Sequence, residues 1–236
     1  MGKTALITGA GKGIGLAVAK KLSALGAKII INDLDGDLLK DLDSSWIKIT
    51  GDASDQNIIE EMVSYQPDWV VANAGITVFG DFLSYSRHDF ETVLKTNLIG
   101  TFFLVQAAAK QMIERKSGGS FVLMSSVTAH QAHKKLAAYG MSKAGIEVFA
   151  RHLVIELKGY GINVNTIAPG ATLTKRTLSD PDYAKIWADL HPSGRANYEE
   201  EIADAVHFLL SPSASQISGQ TLIIDGGWTC VSPSPL

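Results

Sequence analysis

Short runs of apolar and β-branched residues alternate along the chain with longer segments of helical periodicity, and this alternation restricts its fold more than any other feature. Such an order is typical of βαβ units, in which helices cover both faces of a parallel sheet. The run Lys28–Asn32 has three consecutive isoleucines, as expected of a strand buried on both sides. Seven strands are predicted, at Thr4–Thr8, Lys28–Asn32, Trp46–Thr50, Trp69–Ala72, Ser120–Met124, Ile162–Ile167 and Thr221–Ile224.

The predicted fold is therefore α/β, with three layers: a single doubly wound parallel sheet of about seven strands and helices on both faces, as in a Rossmann fold. A chain of 236 residues corresponds to one or two average domains. No internal repeat or low-complexity linker divides it, apart from a Pro/Ser tail at 232–236. We expect residues 1–236 to form a single domain.

Charge and cysteine content disfavour several classes of protein. Lys and Arg number 21 and Asp and Glu number 24, so the chain lacks the positive field on which nucleic-acid binding depends. The one cysteine, Cys230, can form neither an internal disulfide nor a cysteine-rich zinc site. No signal peptide is apparent, and the apolar segment Leu98–Ala109 is shorter than the ~18 residues that span a bilayer. We expect a cytoplasmic protein without nucleic-acid or membrane partners.

A glycine-rich turn, Thr8-Gly-Ala-Gly-Lys-Gly-Ile-Gly15, joins the first predicted strand to the first predicted helix. Glycines allow a tight turn and a close approach of backbone amides to phosphate, and a helix N-terminus adds partial positive charge. The spacing T-G-x-x-x-G-x-G differs from the general dinucleotide fingerprint G-x-G-x-x-G. Alternatively, the turn only connects strand and helix. The residues predicted to bind a pyrophosphate are Gly9, Lys12, Gly13, Ile14 and Gly15.

Asp33 ends the second predicted strand, where a carboxylate can accept hydrogen bonds from an adenosine ribose hydroxyl. A 2′-phosphate would be repelled by this carboxylate and by the four further Asp residues up to position 43. Lys12 argues the other way, because a cation in the turn can pair with a 2′-phosphate. We predict NAD as the cofactor and keep NADP as the alternative.

Tyr139 and Lys143 are one helical turn apart at the start of a predicted amphipathic helix, so they share a face. An ammonium beside a phenol lowers the pKa of the phenol and makes it useful as an acid or base. Ser126 directly follows a predicted strand, at the sheet edge where α/β proteins bind ligands. A Tyr/Lys pair alone is more often a surface feature, and only the whole ordered set of motifs along the chain outweighs that interpretation.

Further motifs follow one another in a fixed order along the chain. The full set is the glycine turn, Asp33, Asn73-Ala74-Gly75, Asn97, Ser126, Tyr139-x-x-x-Lys143, Pro169-Gly170 and the segment from Ser218 to Gly227. This ordered set resembles the short-chain dehydrogenase/reductase family over nearly the whole chain. The resemblance implies one dinucleotide-binding and catalytic domain in which residues 173–195 form a substrate lid, and a homotetramer assembled through apolar helices.

The resemblance also implies roles for single residues. Tyr139 would be the general acid in ketone reduction and the general base in alcohol oxidation, and Lys143 would lower its pKa and hold the nicotinamide ribose. Ser126 would polarise the substrate oxygen, and Asn97 would keep a water in a proton relay. Further cofactor contacts would be Asp52 and Ala53 at the adenine, Asn73, Ala74 and Gly75 along the groove, and Pro169, Gly170, Thr172 and Thr174 at the nicotinamide carboxamide.

The sequence thus favours an NAD(H)-dependent oxidoreductase that acts on a small secondary alcohol or ketone. Two alternatives stay open: an NADPH-linked 3-oxoacyl reductase, and a non-catalytic regulatory protein that only binds NAD. An enoyl reductase is disfavoured, because that branch of the family spaces its Tyr and Lys further apart. No metal is expected, because His130 and His133 have no accompanying carboxylate or thiol and are predicted to lie at the rim of the substrate pocket.

Overall fold

The computed structural model describes residues 2–231, so Met1 and the tail at 232–236 lie outside the described residues. Seven strands form one sheet in the order β3-β2-β1-β4-β5-β6-β9, and every neighbouring pair is parallel. A separate pair, β7 and β8, lies apart from it. The strands are β1 (Thr4–Thr8), β2 (Lys28–Asp33), β3 (Ile47–Thr50), β4 (Trp69–Ala72), β5 (Gly119–Met124), β6 (Ile162–Pro169), β7 (Thr172–Leu173), β8 (Asn197–Tyr198) and β9 (Thr221–Ile224).

Helices cover both faces of this sheet, which confirms the predicted α/β fold. Side chains of α1 and α8, such as Val18 and Val206, pack on one face, while those of α3, α5 and α6, such as Met112 and Ile146, pack on the other. The helices are α1 (Gly13–Ala24), α2 (Asp37–Lys40), α3 (Gln56–Ser64), α4 (Arg87–Leu94), α5 (Thr101–Glu114), α6 (Ala137–Glu156), α7 (Tyr183–Leu190) and α8 (Glu199–Leu210); a π-helical segment, Lys95–Gly100, joins α4 to α5.

The seven predicted strands match those of the sheet to within two residues at every end. The largest difference is in β6, which continues to Pro169 instead of ending at Ile167. The short strands β7 and β8 were not predicted, because two residues carry no periodicity. They pair in parallel, Thr172 with Asn197 and Leu173 with Tyr198, and so join the two ends of the predicted lid.

The stretch Arg87–Glu114, made of α4, the π-helical segment and α5, is longer than the apolar segment Leu98–Ala109 predicted from the sequence. Within residues 2–231 it is the one helix whose length and composition alone would suffice to cross a membrane. Its side chains Leu104, Ala108 and Met112 are buried in the core beneath the sheet. A place in the core therefore accounts for part of its apolar composition, while Ile99, Phe102 and Phe103 are exposed.

The strand order reverses between β1 and β4. From β1 the sheet continues through β2 to β3 on one side, and from β4 it continues through β5 and β6 to β9 on the other side. In open parallel sheets, such a switch point opens a crevice at the carboxyl ends of the strands. The loops after β1, β4, β5 and β6 meet at this edge. This edge of the sheet therefore carries the candidate site.

Candidate active site

The glycine turn after β1 is held in place by Thr8 and Asn73. The Asn73 side-chain amide donates to the carbonyls of Thr8 and Gly9 at 2.9 and 3.0 Å. The Thr8 hydroxyl accepts from the amides of Asn73 and Ala74 at 3.1 and 3.0 Å. Asn73 and Ala74, which are predicted to line the cofactor groove, therefore also fix the turn. The role of the Thr8 hydroxyl in holding the turn was not predicted from the sequence.

The glycines of this turn serve two different purposes. A Cβ on Gly15 would collide with the Gly9 carbonyl, and one on Gly9 would lie 2.9 Å from the Ala74 Cα, so both positions require close packing. Gly13, with φ +64°, has only Glu199 Oε1 near the position of a Cβ, at 3.9 Å. Its missing side chain leaves the start of α1 open to a ligand.

The N-terminus of α1 fits a diphosphate. Lys12 occupies the N-cap position, but no side chain caps the helix and no acidic residue lies in its first turn. The first amides of a helix lack partners within the helix, and they attract anions together with the helix dipole. Lys12 and Ile14 line the cleft beside this terminus. The turn therefore fits the pyrophosphate of a dinucleotide.

Asp33 lies against the same turn, at the end of β2. Its Oδ2 accepts from the Gly11 amide at 2.9 Å, and its Oδ1 accepts from the Asp35 amide at 3.1 Å. A carboxylate has about four acceptor sites, so lone pairs remain for ribose hydroxyls. The geometry thus fits the predicted adenosine contact.

Asp52 and Ala53 lie outside the cleft and contact the π-helical segment. Asp52 accepts from the Ser54 hydroxyl at 2.7 Å and forms an ion pair with Lys95 at 3.0 Å. Burial raises the pKa of the Asp52 carboxyl, but the hydrogen bonds from Ser54 and the charge of Lys95 outweigh it, so the pKa is lowered. The predicted contact of Asp52 and Ala53 with the adenine stays a prediction.

One cleft of about 320 Å³ brings together most of the predicted site residues. Gly9, Gly15 and Ala74 are not among its lining residues and belong to the packed turn, while Asn97 is fully buried. The predicted residues that line the cleft are Lys12, Gly13, Ile14, Asn73, Gly75, Ser126, Tyr139, Lys143, Pro169, Gly170, Thr172 and Thr174. Of the other lining residues, Lys175, Arg176, Thr177 and Tyr183 lie in the predicted lid without having been singled out for the site, and Thr77, Met124 and Ser125 were not predicted as site residues.

Ser126 and Tyr139 meet at the centre of this cleft. Ser126 follows β5 and caps the short turn Val127–Ala129, where its Oγ accepts from the Thr128 amide at 3.2 Å. Burial raises the pKa of the Tyr139 phenol, against the hydroxyls of Ser126 and Thr77 and the guanidinium of Arg176, which lower it. The serine hydroxyl is thus close enough to the phenol to affect its ionisation.

Lys143 is buried one turn after Tyr139 on α6, with 3% of its surface exposed. Its Nζ donates to the Met124 carbonyl at 2.7 Å and lies 5.6 Å from the centre of the Tyr139 ring. Burial lowers the pKa of Lys143 to about 8. The sequence predicted that Lys143 lowers the pKa of Tyr139. This expectation is not met in the structure, because burial of the phenol dominates and raises its pKa.

Asn97 lies in the π-helical segment, an irregularity that often marks functional sites. Its Oδ1 accepts from the Ile76 amide at 2.8 Å, and its Nδ2 donates to the Ile76 carbonyl and to Ser142 Oγ, both at 3.0 Å. A Cβ on Gly75 would lie 3.2 Å from both Asn97 Oδ1 and Lys143 Nζ. The bare glycine therefore lets these two polar groups face the same space, as a relay between them requires.

The residues predicted to contact the nicotinamide follow β6. The Gly170 amide donates to the Ile224 carbonyl at 2.8 Å, and a Cβ on Gly170 would lie 2.7 Å from that of Asp225. The Thr172 hydroxyl donates to the Gly170 carbonyl at 3.0 Å, and Thr177 accepts from the Thr174 amide at 2.7 Å. Local hydrogen bonds thus shape this wall of the cleft.

The lid contains α7, and only two of its four large apolar side chains are packed. Ile186 and Leu190 are each 49% exposed, whereas Tyr183 and Trp187 are partly buried. The Trp187 ring contacts those of His191 and Trp228 edge-on, with centroids 5.2 and 5.6 Å apart. Aromatic packing therefore attaches the lid to the short turn Trp228–Cys230.

The two histidines considered as metal ligands have other partners. His130 Nε2 lies 2.9 Å from Glu147 Oε1, and the ring of His133 stacks obliquely near those of Trp187 and Trp228. Burial lowers the pKa of His133. Over residues 2–231, no three His, Cys, Asp or Glu side chains come together as a metal-binding group.

The chain is similar to known proteins over almost its whole length. Residues 9–229 match the model of a family described as Enoyl-(Acyl carrier protein) reductase. The chain is 34% identical to an L-rhamnose 1-dehydrogenase (NAD(P)(+)) of Sphingomonas sp., over 96% of each chain. It is 35% identical to the 3-oxoacyl-[acyl-carrier-protein] reductase of Escherichia coli, over 96% of this chain and 97% of the relative.

A solved structure has the same fold. A gluconate 5-dehydrogenase from Burkholderia cenocepacia, in complex with NADP and tartrate, superposes with a TM-score of 0.89 at 28% identity. The superposition covers 98% of this chain and 96% of the other. Since the likeness runs through almost the whole chain, it includes the turn, the cleft and the lid. The chain belongs to the short-chain dehydrogenase/reductase family.

Proposed function

We propose that the protein is an NAD(H)-dependent oxidoreductase that interconverts a secondary alcohol and a ketone, with Tyr139 as general acid and base. The observation that carries this proposal is the meeting of Ser126, Tyr139 and Lys143 in one cleft beside a turn that fits a dinucleotide diphosphate. When bound, the nicotinamide supplies or accepts the hydride, and the protein supplies alignment and proton transfer.

Each side chain of the cleft has its own role in this proposal. Ser126 Oγ donates to the substrate oxygen and holds it near the Tyr139 hydroxyl. In oxidation, the Tyr139 phenolate takes the hydroxyl proton of the alcohol, and in reduction the phenol returns it to the carbonyl oxygen. The charge of Lys143 opposes the effect of burial on the Tyr139 phenol and so favours the phenolate, and Asn97, facing the same space as Lys143 across Gly75, continues the proton path inward.

Tyr139→Phe tests the role of the phenol. We expect turnover, followed by nicotinamide absorbance over a panel of secondary alcohols and ketones, to fall about 10²–10⁴-fold, as on loss of a general acid or base. Tyr160→Phe, at an exposed site beyond α6, is the matched control and should turn over as the unaltered protein does. Comparable turnover by Tyr139→Phe would refute the assignment, and cofactor binding without any turnover by the unaltered protein would favour a non-catalytic NAD-binding protein.

A second candidate is an NADPH-linked 3-oxoacyl reductase, which the 35% identical relative from Escherichia coli favours. The carboxylate of Asp33 at the glycine turn supports NAD over NADP, because it would repel a 2′-phosphate. Titration with each cofactor, and reduction of a 3-oxoacyl thioester with NADPH, separate the two candidates. A strong preference for NADP would overturn the argument from Asp33.

We further propose a cytoplasmic homotetramer with one dinucleotide-binding and catalytic domain per chain, which acts on a small molecule without nucleic-acid or membrane partners. Apolar side chains exposed on α5 and α6 support assembly: Phe102, Phe103 and Val148 are 41%, 43% and 44% exposed, and Phe102 stacks on Phe149 at 4.9 Å. Light scattering should report four chains per particle, and Phe102→Glu should reduce that number. A monomer at micromolar concentration would contradict this proposal.

A further inference from the structure

The cleft contains several cations and no carboxylate. Its lining includes Lys12, Lys143, Lys175 and Arg176. No lining residue is Asp or Glu. Within residues 2–231, neither Lys175 nor Arg176 forms an ion pair. A site of this composition has a positive potential that attracts anions.

Under the proposed function, a bound dinucleotide would account for two of these four charges. Lys12 lies in the turn at the start of α1, on the diphosphate side, and Lys143 lies beside Tyr139 with its Nζ on the Met124 carbonyl. Lys175 and Arg176 belong to the lid instead, between β7 and α7. Both side chains are exposed, so their charges are available to an anionic substrate.

The guanidinium of Arg176 acts at the reacting end of the cleft. It lowers the pKa of the Tyr139 phenol and also that of the Tyr183 phenol, in both cases against burial, which raises the pKa. A cation has this effect only on groups near it. Arg176 and Tyr139 also line the same cleft, so a group bound by Arg176 would lie close to the reacting oxygen.

We propose that the substrate is a hydroxy acid or an oxo acid, and that Arg176 binds its carboxylate while Lys175 adds to the positive field. The planar guanidinium donates two parallel hydrogen bonds to a carboxylate, and such pairs are strong when partly removed from water. This inference rests on the proposed oxidoreductase function and narrows its substrate class. It also distinguishes the substrate from a 3-oxoacyl thioester, which lacks a carboxylate near its ketone.

The first test compares each acid with its methyl ester, using lactate, malate and 3-hydroxybutyrate. We expect kcat/KM to favour at least one acid over its ester by about tenfold or more, and Arg176→Gln to reduce that ratio about 10–100-fold, as for loss of a charged hydrogen-bonding partner. Arg176→Lys should restore part of the ratio. Lys185→Gln, which removes an exposed charge from α7, is the control and should leave the ratio unchanged.

A second measurement does not depend on turnover. Malonate and malonamide are titrated by calorimetry into the protein loaded with reduced cofactor, and we expect malonate to bind more tightly, with that difference lost in Arg176→Gln. The inference is overturned if every ester is turned over as well as its acid, or if the two malonyl compounds bind equally. It is also overturned if Arg176→Gln binds the cofactor more weakly, because Arg176 would then be a cofactor residue. Arg176-dependent malonate binding without turnover of any compound would support the anion site and refute the proposed reaction.

Discussion

The Ser125 hydroxyl donates a 2.6 Å hydrogen bond to the carboxylate of Glu147, and both side chains are buried. The same carboxylate oxygen lies 2.9 Å from His130 Nε2. Ser125 directly precedes Ser126, and Glu147 is one turn beyond Lys143 on α6. One buried carboxylate therefore connects the end of β5, the loop before α6 and the helix that carries Tyr139.

Glu147→Ala should weaken both the fold and the site. It leaves the Ser125 hydroxyl only its longer contact with the Lys143 carbonyl, at 3.3 Å, and removes the acceptor beside His130, so we expect the free energy of unfolding to fall by about 1–3 kcal/mol. Turnover should fall as well, because Ser126 loses its support. Glu147→Gln keeps the volume and one acceptor oxygen and should retain more of both. Urea unfolding and steady-state kinetics measure the two effects, with Glu156→Ala, exposed on α6, as the control. Equal losses in the two Glu147 variants would contradict a role for the acceptor oxygen.

The buried ammonium of Lys143 should make stability depend on pH. Its pKa is lowered from 10.5 to about 8, so between these values the unfolded chain binds more protons than the folded one, and stability rises with pH. Well below pH 8, Lys143 is protonated in both the folded and the unfolded chain, and burying its charge lowers the free energy of unfolding by the full amount, about 3 kcal/mol. Relative to Lys143→Met, the unaltered protein should therefore gain about 3 kcal/mol between pH 7 and pH 10.5. Urea unfolding of both proteins across this range gives the difference, and a constant difference would be inconsistent with the lowered pKa.

Asp33→Asn should weaken binding of NAD about 10–100-fold, because the adenosine ribose loses a charged acceptor. Binding of NADP should weaken less or improve, since a negative charge near the 2′-phosphate is removed. Cofactor titration by calorimetry gives both affinities. Asp41→Asn removes an equal charge from an exposed position just after α2 and is the control. A ratio of the two affinities that stays constant would argue against Asp33 as the discriminating residue.

Gly75→Ala should block the site without unfolding the protein. The new methyl group would lie 3.2 Å from both Asn97 Oδ1 and Lys143 Nζ, closer than such contacts normally are, so one of the two must move. We expect a loss of turnover of at least tenfold with a small change in the melting temperature, because the same methyl meets no backbone atom among its nearest neighbours. Gly194→Ala, in the lid, is the comparison variant, because a Cβ there would meet no atom within 4 Å. We expect it to have a small effect on turnover, although its φ of +72° strains the backbone and should lower the stability. Full activity of Gly75→Ala would show that the two groups need not share this space.

The strands of the sheet could be predicted closely, because residues of a parallel sheet that are buried on both faces form continuous apolar runs. Ile29–Ile31 is such a run, and it is fully enclosed in β2. The π-helical segment around Asn97 could not be predicted, since its hydrogen-bond pattern leaves no mark in the hydrophobic periodicity. The pairing of β7 with β8 depends on residues 25 apart in the chain, which no local pattern connects.

In the site, motif spacing located Ser126, Tyr139 and Lys143, because the turn after β5 and the first turn of α6 are local structures. The contacts of Glu147 with Ser125 and of Asp52 with Lys95 join residues 22 and 43 positions apart, so the sequence alone gave no signal for them. The ionisation of Tyr139 depends on how deeply the fold buries it, and this is why its predicted direction was wrong. Adjacent basic residues at 175 and 176 were a signal that sequence reasoning did not use.

The parallel pairing of β7 and β8 has a consequence for how this protein can change. Because Thr172 lies beside Asn197, and Leu173 beside Tyr198, the segment between them leaves and rejoins the body of the protein at almost the same point. A loop with adjacent ends can be lengthened or exchanged at small entropic cost. The segment 174–196 can therefore be lengthened or exchanged without disturbing the hydrogen bonds on β5 and α6. Under the proposed function, exchange of this segment between relatives should change the compound accepted.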